Sequence, residues 1–313
     1  MALIQFKKRR VAIDLNHAHA TALQGYRKGP TVYLEKYFYQ PFDTPMFVPG
    51  FRNFQINDQD RLAAVFNGLL QQLDTKETNI SLVVPEQMVK VVIIPFENFP
   101  VNKHESLDVV KWRLKSTYGQ EVENFRIAFQ ALRHSKDEKD YVLIGLSHRK
   151  AIHDLLQLLE QFNLNIIQIE VPSICLFNLF ESRLNSMGDR DFYFVSFTSQ
   201  TINVMLFEDF VPVFYRSTDL RKSPILIEED IYEEILQALK ISILYNEENR
   251  RGKIVKQVYL HGDNLNRQNA EESIGEKLGA DFSTSCLDFQ EEVEWLCPYT
   301  SGHVVAPAAG ILA

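Results

Sequence analysis

At 313 residues, with 45% hydrophobic and 24% charged residues, the chain has the length for two domains and the composition of a soluble globular protein. A net charge of -8 argues against broad nucleic-acid binding, which needs a basic face. The run Lys7 to Arg10, with Arg27 and Lys28, is too small to supply one and makes only a weak lipid anchor. No run of about eighteen apolar residues occurs, Met1 to Val11 lacks the apolar stretch of a signal peptide, and the three scattered cysteines, Cys175, Cys286 and Cys297, suit a reducing compartment.

Val11 to Gly29 reads as a strand, a polar turn at Asn16 to His19 and a second strand, with Asp14 just before the turn. Asn16 tolerates the left-handed backbone that such a turn can require. Thr31 to Phe42 continues as a third strand, and Pro41, Pro45, Pro49 and Gly50 break the chain after it. From Asp58, Leu62, Val65, Phe66, Leu69, Leu70 and Leu73 recur at helical spacing, with Asn57 or Asp58 as N-cap. Asn79 to Pro85 is a short apolar strand that a helical crossover lays beside the meander.

Glu86 and Gln87 open an inserted module. Met88 to Ile94 reads as a strand stopped by Pro95, and a helix runs from Lys103 with Leu107, Val110, Leu114 and Tyr118 on one face. Phe125 to Leu132 and Tyr141 to Leu146 are two further strands joined by a charged turn around Ser135 to Asp140. Trp112 lies beside the helix's apolar face and reads as core, or else as the lining of a groove. Lys150 to Asn163 is an amphipathic helix, Asn165 to Glu170 a strand, and the helix opened by Pro172 should lie against this first half.

The polar stretch Ser186 to Asp191 sets a boundary, giving a first domain over 1–189 with an inserted α+β subdomain at 86–149, and a second over 190–313. The second restarts the opening pattern with strands Asp191 to Phe197, Thr201 to Phe207 and Val211 to Ser217. A long helix from about Leu226 to Glu248 follows, acidic in its first turns and trailed by Arg250 and Arg251. Val255 to His261 is a strand, Gly262 a turn residue, Glu271 to Leu278 a helix, Ala280 to Ser283 a short strand, and Ala308 and Ala309 pack in a final helix.

The eight histidines show no metal-ligand spacing, so no metal site is expected, and His17 and His19 read as solvent-exposed hairpin residues. No nucleophile elbow occurs, and no ordering of Ser, His and Asp suggests a triad.

The order of pieces resembles the actin-like FtsA/PilM family, of which PilM is the cytoplasmic component of type IV pilus assembly. The carriers are VAIDLN, LVVPEQMVKVVIIPFENFP leading through DVVKWRLK, IIQIEVPSICLFNLF, EEILQALKISILY, VYLHGD and PAAGILA. The resemblance spans nearly the whole chain and implies a fold of mixed α/β class: two duplicated RNase-H-like domains, with the α+β subdomain inserted in the first.

Departures from the family fall on its nucleotide loops. Asp14 remains, but Asn16, His17 and Thr21 stand at the glycine, serine and lysine positions of the first phosphate loop. The second loop falls on Ser196, Phe197 and Thr198, with Thr201 keeping its residue type, and the adenosine-side glycine pair falls on Gly262 and Asp263. The small subdomain over the adenine side is reduced, because Ser217 reaches the long helix within about ten residues. Losing two or more charge-assisted contacts of about 1.5 to 3 kcal/mol each would take a micromolar site to millimolar or weaker.

The resemblance therefore implies a non-enzymatic scaffold without cofactor, Asp14, Asn16, Thr201 and Gly262 marking a vestigial nucleotide site. Its partner would be the cytoplasmic N-terminal tail of a PilN-like single-pass membrane protein, gripped as an extended peptide between the inserted subdomain and the first half, by side-chain pockets or strand addition. Val89, Val91, Ile93 and Trp112 are the candidate lining. A motor ATPase and self-association are further partners the family implies, at the cytoplasmic face of the inner membrane in a pilus, secretion or DNA-uptake machine. The alternatives are a switch of the same fold that binds ATP and Mg²⁺, and a sugar-kinase-like phosphotransferase.

Overall fold

An antiparallel meander of β1 (Arg10–Leu15), β2 (His19–Lys28) and β3 (Thr31–Pro41) opens the computed structural model, which describes residues 9–48, 50–133, 139–198, 201–220, 228–249, 254–263, 265–300 and 304–313. An antiparallel pair of two-residue strands, β4 (Phe47–Val48) and β5 (Gln55–Ile56), precedes α1 (Gln59–Leu73). The Asp58 carboxylate caps α1 by accepting the Arg61 amide at 2.8 Å, and Leu62, Phe66, Leu69 and Leu73 form its buried stripe. The chain then returns as β6 (Asn79–Val83), parallel to β1.

The inserted module comprises β7 (Lys90–Phe96), α2 (Lys103–Tyr118), β8 (Phe125–Arg133) and β9 (Asp140–His148), with the strands in the order β7-β9-β8. Val110 and Leu114 of α2 pack on Val142, Ile144 and Leu146. Two expectations change here. Pro95 does not stop β7, which runs on to Phe96 because an edge strand can turn a nitrogen without hydrogen away from the ladder. Trp112 is not core but 73% exposed, since two residues from both Val110 and Leu114 is the far side of a helix.

After α3 (Arg149–Glu160), β10 (Asn165–Glu170) joins β6 in parallel, and α4 (Pro172–Met187) ends at Gly188, whose φ of 86° suits glycine. The second half lays β11 (Phe192–Thr198), β12 (Thr201–Glu208) and β13 (Val211–Asp219) as another meander, followed by α5 (Glu228–Asn249), β14 (Gln257–Gly262), α6 (Arg267–Leu278) and β15 (Ser283–Cys286). Its sheet order, β13-β12-β11-β14-β15, repeats β3-β2-β1-β6-β10 strand for strand. The last strand lies three residues later than the spacing predicts, because Gly279, at φ 105°, and the residues after it turn the chain out of α6. Gly262 is the final residue of β14, paired with Phe197, rather than a turn residue.

The chain beyond β15 leaves its own half. β16 (Val293–Trp295) adds in parallel to β3 in the first sheet, and α7 (Ala306–Leu312) packs on β1, β2 and β6, so the sequence boundary at 189/190 does not hold these pieces apart. α4, expected against the first half, touches both: it shares a core with Ala12, Leu23 and Leu34 and takes Arg27 on Ser182, and it also packs on β11, its Phe177 and Phe180 meeting Phe194. The two helices meet along their length, and the shared core runs from Ala12 and Leu23 in one sheet to Phe192 and Phe207 in the other. No helix among the described residues is long and apolar enough to cross a membrane. Lys7 and Lys8, Pro49, the charged turn at Ser135, the loop tip at Ser199 and Gln200, the connection into α5 and the pair Arg250 and Arg251 lie outside the described residues.

Gly310 sets the distance between α4 and α7: a Cβ there would stand 2.0 Å from the carbonyl oxygen of Cys175. Gly310→Ala is expected to destabilise the protein by about 1 to 3 kcal/mol in urea unfolding. Gly68→Ala, in open space inside α1, should instead stabilise it by about 0.5 to 1 kcal/mol.

Candidate functional site

Asp14 sits near the C-terminal end of β1, opposite Thr21 on β2 and Val83 on β6, on the face that α7 covers. Alternation along β1 puts Val11, Ile13 and Leu15 into the α1 side and leaves Ala12 and Asp14 facing the joint between halves. The carboxyl is 2% exposed and its Oδ1 has no hydrogen-bond partner. Burial, and secondly the charge of Asp263 across the joint, push its pKa up to about 8, so it holds its proton at neutral pH.

The turn after Asp14 is closed by its own side chain. Asn16 Oδ1 accepts the amides of Ala18 at 2.8 Å and His19 at 2.9 Å, while the Asn16 amide donates to the His19 carbonyl at 3.0 Å. Asn16 therefore does not use the left-handed backbone the sequence allowed it. Its Nδ2 lies 2.8 Å from His19 Nε2, and the His19 ring packs on Tyr39 at 4.8 Å. His19 is thus buried rather than solvent-exposed, and His17 is half-buried.

Thr21 and the other positions expected to mark a vestigial nucleotide site also bond or pack within the protein itself. Thr21 Oγ1 donates to the Val304 carbonyl at 2.9 Å, and Thr201 Oγ1 donates to the Thr198 carbonyl of its own turn at 3.3 Å. A Cβ at Gly262 would stand 2.2 Å from Leu265 Cδ1, so this glycine serves a packing contact. Asp14, Asn16, Thr201, Asp263, Val304 and Pro307 surround a free volume of about 20 Å³. That space admits one water, whereas small-molecule sites run to about 300 to 1,000 Å³. The residues around Asp14 leave no room for a phosphate chain, and an adjoining concavity of about 230 Å³ that shares Asp263 and Val304 with this space opens at Gly262. Among the described residues no group of three or more His, Cys, Asp or Glu could hold a metal ion.

A second set of polar residues, not singled out by the sequence, fastens the halves beside this cleft. Glu86, 3% exposed, accepts the Ser173 amide at 3.0 Å, the Ser173 hydroxyl at 2.8 Å and the Tyr215 hydroxyl at 2.5 Å. Tyr215 Oη also lies 3.0 Å from Asn203 Oδ1. The cluster joins the end of the first sheet, the first turn of α4 and two strands of the second sheet. Burial raises the Glu86 pKa, and the hydrogen bonds from Tyr215 and Ser173 oppose that rise. An acid directly after Pro85, at the exit of the buried strand β6, was the available signal.

An open concavity of about 360 Å³ lies between the inserted sheet and the first half. Val89, Val91, Leu143 and Gly145 face it from the inserted module, Ile152 from α3, and Ile169, Glu170 and Ile174 from the first half. Of the predicted lining residues the structure brings Val89 and Val91 together here. Ile93 packs instead into the core of the second half, and Trp112 projects from the opposite side of the inserted sheet, because α2 covers that face. Arg126 and Glu170 are lining residues the sequence did not mark, and burial, followed by the charge of Glu86, raises the Glu170 carboxyl to about 7 against the pull of the Val171 amide.

No protein-family model matches the sequence, and no curated protein matches it. The fold overlays on a chain of a PilM-PilN type IV pilus biogenesis complex with a TM-score of 0.76 at 15% identity, covering 98% of each chain. A protein with actin-like ATPase fold and unknown function from Bacteroides thetaiotaomicron overlays with a TM-score of 0.50 at 13% identity, covering 99% of each. The fold is therefore actin-like, as the resemblance in sequence implied.

Asp14 also yields a pH test. Its folded pKa lies above the unfolded value of 3.8, so the folded state retains a proton that the unfolded state loses as pH rises from about 4 to 8, and stability falls across that window. Asp14→Asn should raise the unfolding free energy at pH 7.5 by about 1 to 4 kcal/mol, with the gain vanishing near pH 4.

Proposed function

We propose that this chain is a non-enzymatic scaffold that holds a membrane protein's tail in the groove between its inserted subdomain and its first half. The observation that carries this reading is the contrast between concavities: the space around Asp14 is only about 20 Å³ and the adjoining one at Gly262 about 230 Å³, while the groove holds about 360 Å³ with mostly apolar walls. Apolar walls with few polar groups suit an extended peptide, which gains affinity from main-chain contacts and from side chains seated in pockets.

The occupant proposed is the cytoplasmic N-terminal tail of a PilN-like single-pass membrane protein, in keeping with the fold shared with the PilM-PilN complex. The chain would then work at the cytoplasmic face of the inner membrane in a type IV pilus or a related secretion or DNA-uptake machine. It would connect the tail to a motor ATPase or to further copies of itself, with no nucleotide cofactor.

Isothermal titration with synthetic peptides, taken from the cytoplasmic N-termini of single-pass membrane proteins encoded beside it, tests this. Micromolar binding is expected for one of them. Ala128→Trp, at an exposed position on the groove wall, should weaken that binding at least tenfold without changing the unfolding midpoint. Absence of binding, or affinity untouched by the tryptophan, would contradict the proposal.

A further inference from the structure

Over its second half α5 is amphipathic in reverse. Ser242 and Asn246 are buried, each bonded to the helix backbone four residues back: the Ser242 hydroxyl donates to the Ala238 carbonyl at 2.8 Å, and Asn246 Nδ2 to the Ser242 carbonyl at 2.7 Å. Asn246 Oδ1 has no hydrogen-bond partner among the described residues. Ile241, Leu244 and Tyr245 are instead exposed, Leu244 by 58%. Spacings of three and four residues set these side by side on one helical face. The Phe214 ring on β13 lies 5.5 Å from that of Tyr245 and carries the apolar surface onto the neighbouring strand. A lone exposed apolar residue is ordinary, but three joined on one face, with polar side chains buried behind them, mark a surface that another molecule covers.

The surroundings of this patch are acidic. An open concavity of about 460 Å³ runs from Leu244 and Ile241 along the helix to Glu234, Glu233 and Asp230. Glu233 is bonded to Lys277, whereas Asp230 and Glu234 form no ion pair among the described residues. Glu247 and Glu248 follow the patch at its other end, and Lys240, at the rim of the concavity, is the one cation in the sequence of α5.

This acidic frame decides the occupant. It repels a bilayer with anionic headgroups, and two copies of the chain joined by this face would set acid against acid in either direction. A helix also offers no backbone edge to pair with a strand, so the surface suits another helix. We propose that the outer face of α5 docks an amphipathic helix of a partner protein, apolar along one stripe and carrying Lys or Arg at both ends of that stripe. Its apolar side chains pack on Ile241, Leu244 and Tyr245, and its cations reach Asp230 and Glu234 at one end and Glu247 and Glu248 at the other. At about 1.5 Å per residue the acids from Asp230 to Glu248 span about 27 Å, which sets the partner helix at about eighteen residues. This surface lies on the second half, and its occupancy does not depend on the groove.

The test pans a displayed library of eighteen-residue helical peptides on the full chain after depletion on Leu244→Gln, and the best binder is synthesised and titrated by fluorescence anisotropy. Enriched sequences should carry apolar residues at every third or fourth position and Lys or Arg at both ends. Ile241→Gln should weaken the peptide at least tenfold with no change in the unfolding midpoint. Asp230→Lys with Glu234→Lys should weaken it as much, whereas Glu97→Lys with Asp108→Lys, at exposed acids of the inserted module, should leave it unchanged. Equal loss in both double variants would reduce the binding to attraction by net charge and overturn the proposal. Affinity untouched by Ile241→Gln, or enrichment of acidic sequences, uncharged sequences or none, overturns it as well. A dimer seen in sedimentation, or flotation with phosphatidylglycerol vesicles, that Leu244→Gln abolishes would assign the face to a second copy or to lipid and contradict it.

Discussion

The exchange of helices between the two halves is the constraint from which the rest of the structure follows. α4 reaches from the first half onto the second sheet, and α7 leaves the second half and packs on the first. Their crossing is close because Gly310 presents no side chain to the Cys175 carbonyl, and because Ala306, Ala308 and Ala309 keep α7 thin where it lies on β1. The segment leading into α7 passes over the end of β1, so Val304 and Pro307 form part of the lid on Asp14. The packing that joins the halves therefore also closes the space between them.

Within that closed space nearly every polar group has been turned inward. Asn16 occupies the two amides that its turn would otherwise offer to an anion, Thr21 is committed to Val304, and Glu86 gathers donors from α4 and β13. Each such bond has a modest net value of about 0.5 to 1.5 kcal/mol, but breaking one in a buried setting costs more, because the group left behind has lost its water. Opening the cleft would break several together and expose the core shared by the two sheets. Asp14 is left as a cost, a buried carboxyl held neutral beside Asp263. The proposed recognition surface lies elsewhere, in the open groove beside the inserted sheet.

Much of this was legible in the sequence where burial follows from local period. The two meanders, the stripe of α1, the inserted strand-helix-strand-strand unit and the small-residue helix at the C-terminus all declare themselves by alternation, helical spacing or punctuation. What was not legible depends on non-local partners. Val293 to Trp295 is too short to read as a strand until β3 is there to pair with it. Trp112 looks apolar enough for the core, yet the helix's phase is fixed by Val110 and Leu114. Pro95 breaks a strand only if the neighbouring strand needs its hydrogen. At the site, the absence of glycine and lysine from the first loop could be read directly, but not what replaced their function. The capping by Asn16, the Thr21–Val304 bond and the Glu86–Ser173–Tyr215 cluster join residues from 2 to 283 positions apart.

Calorimetric titration of the full chain with ATP in the presence of Mg²⁺ tests most directly whether the interlocked halves leave no nucleotide site between them. The account predicts no heat of binding up to millimolar nucleotide. Saturable binding at micromolar concentration, lost on Asp14→Asn, would contradict it.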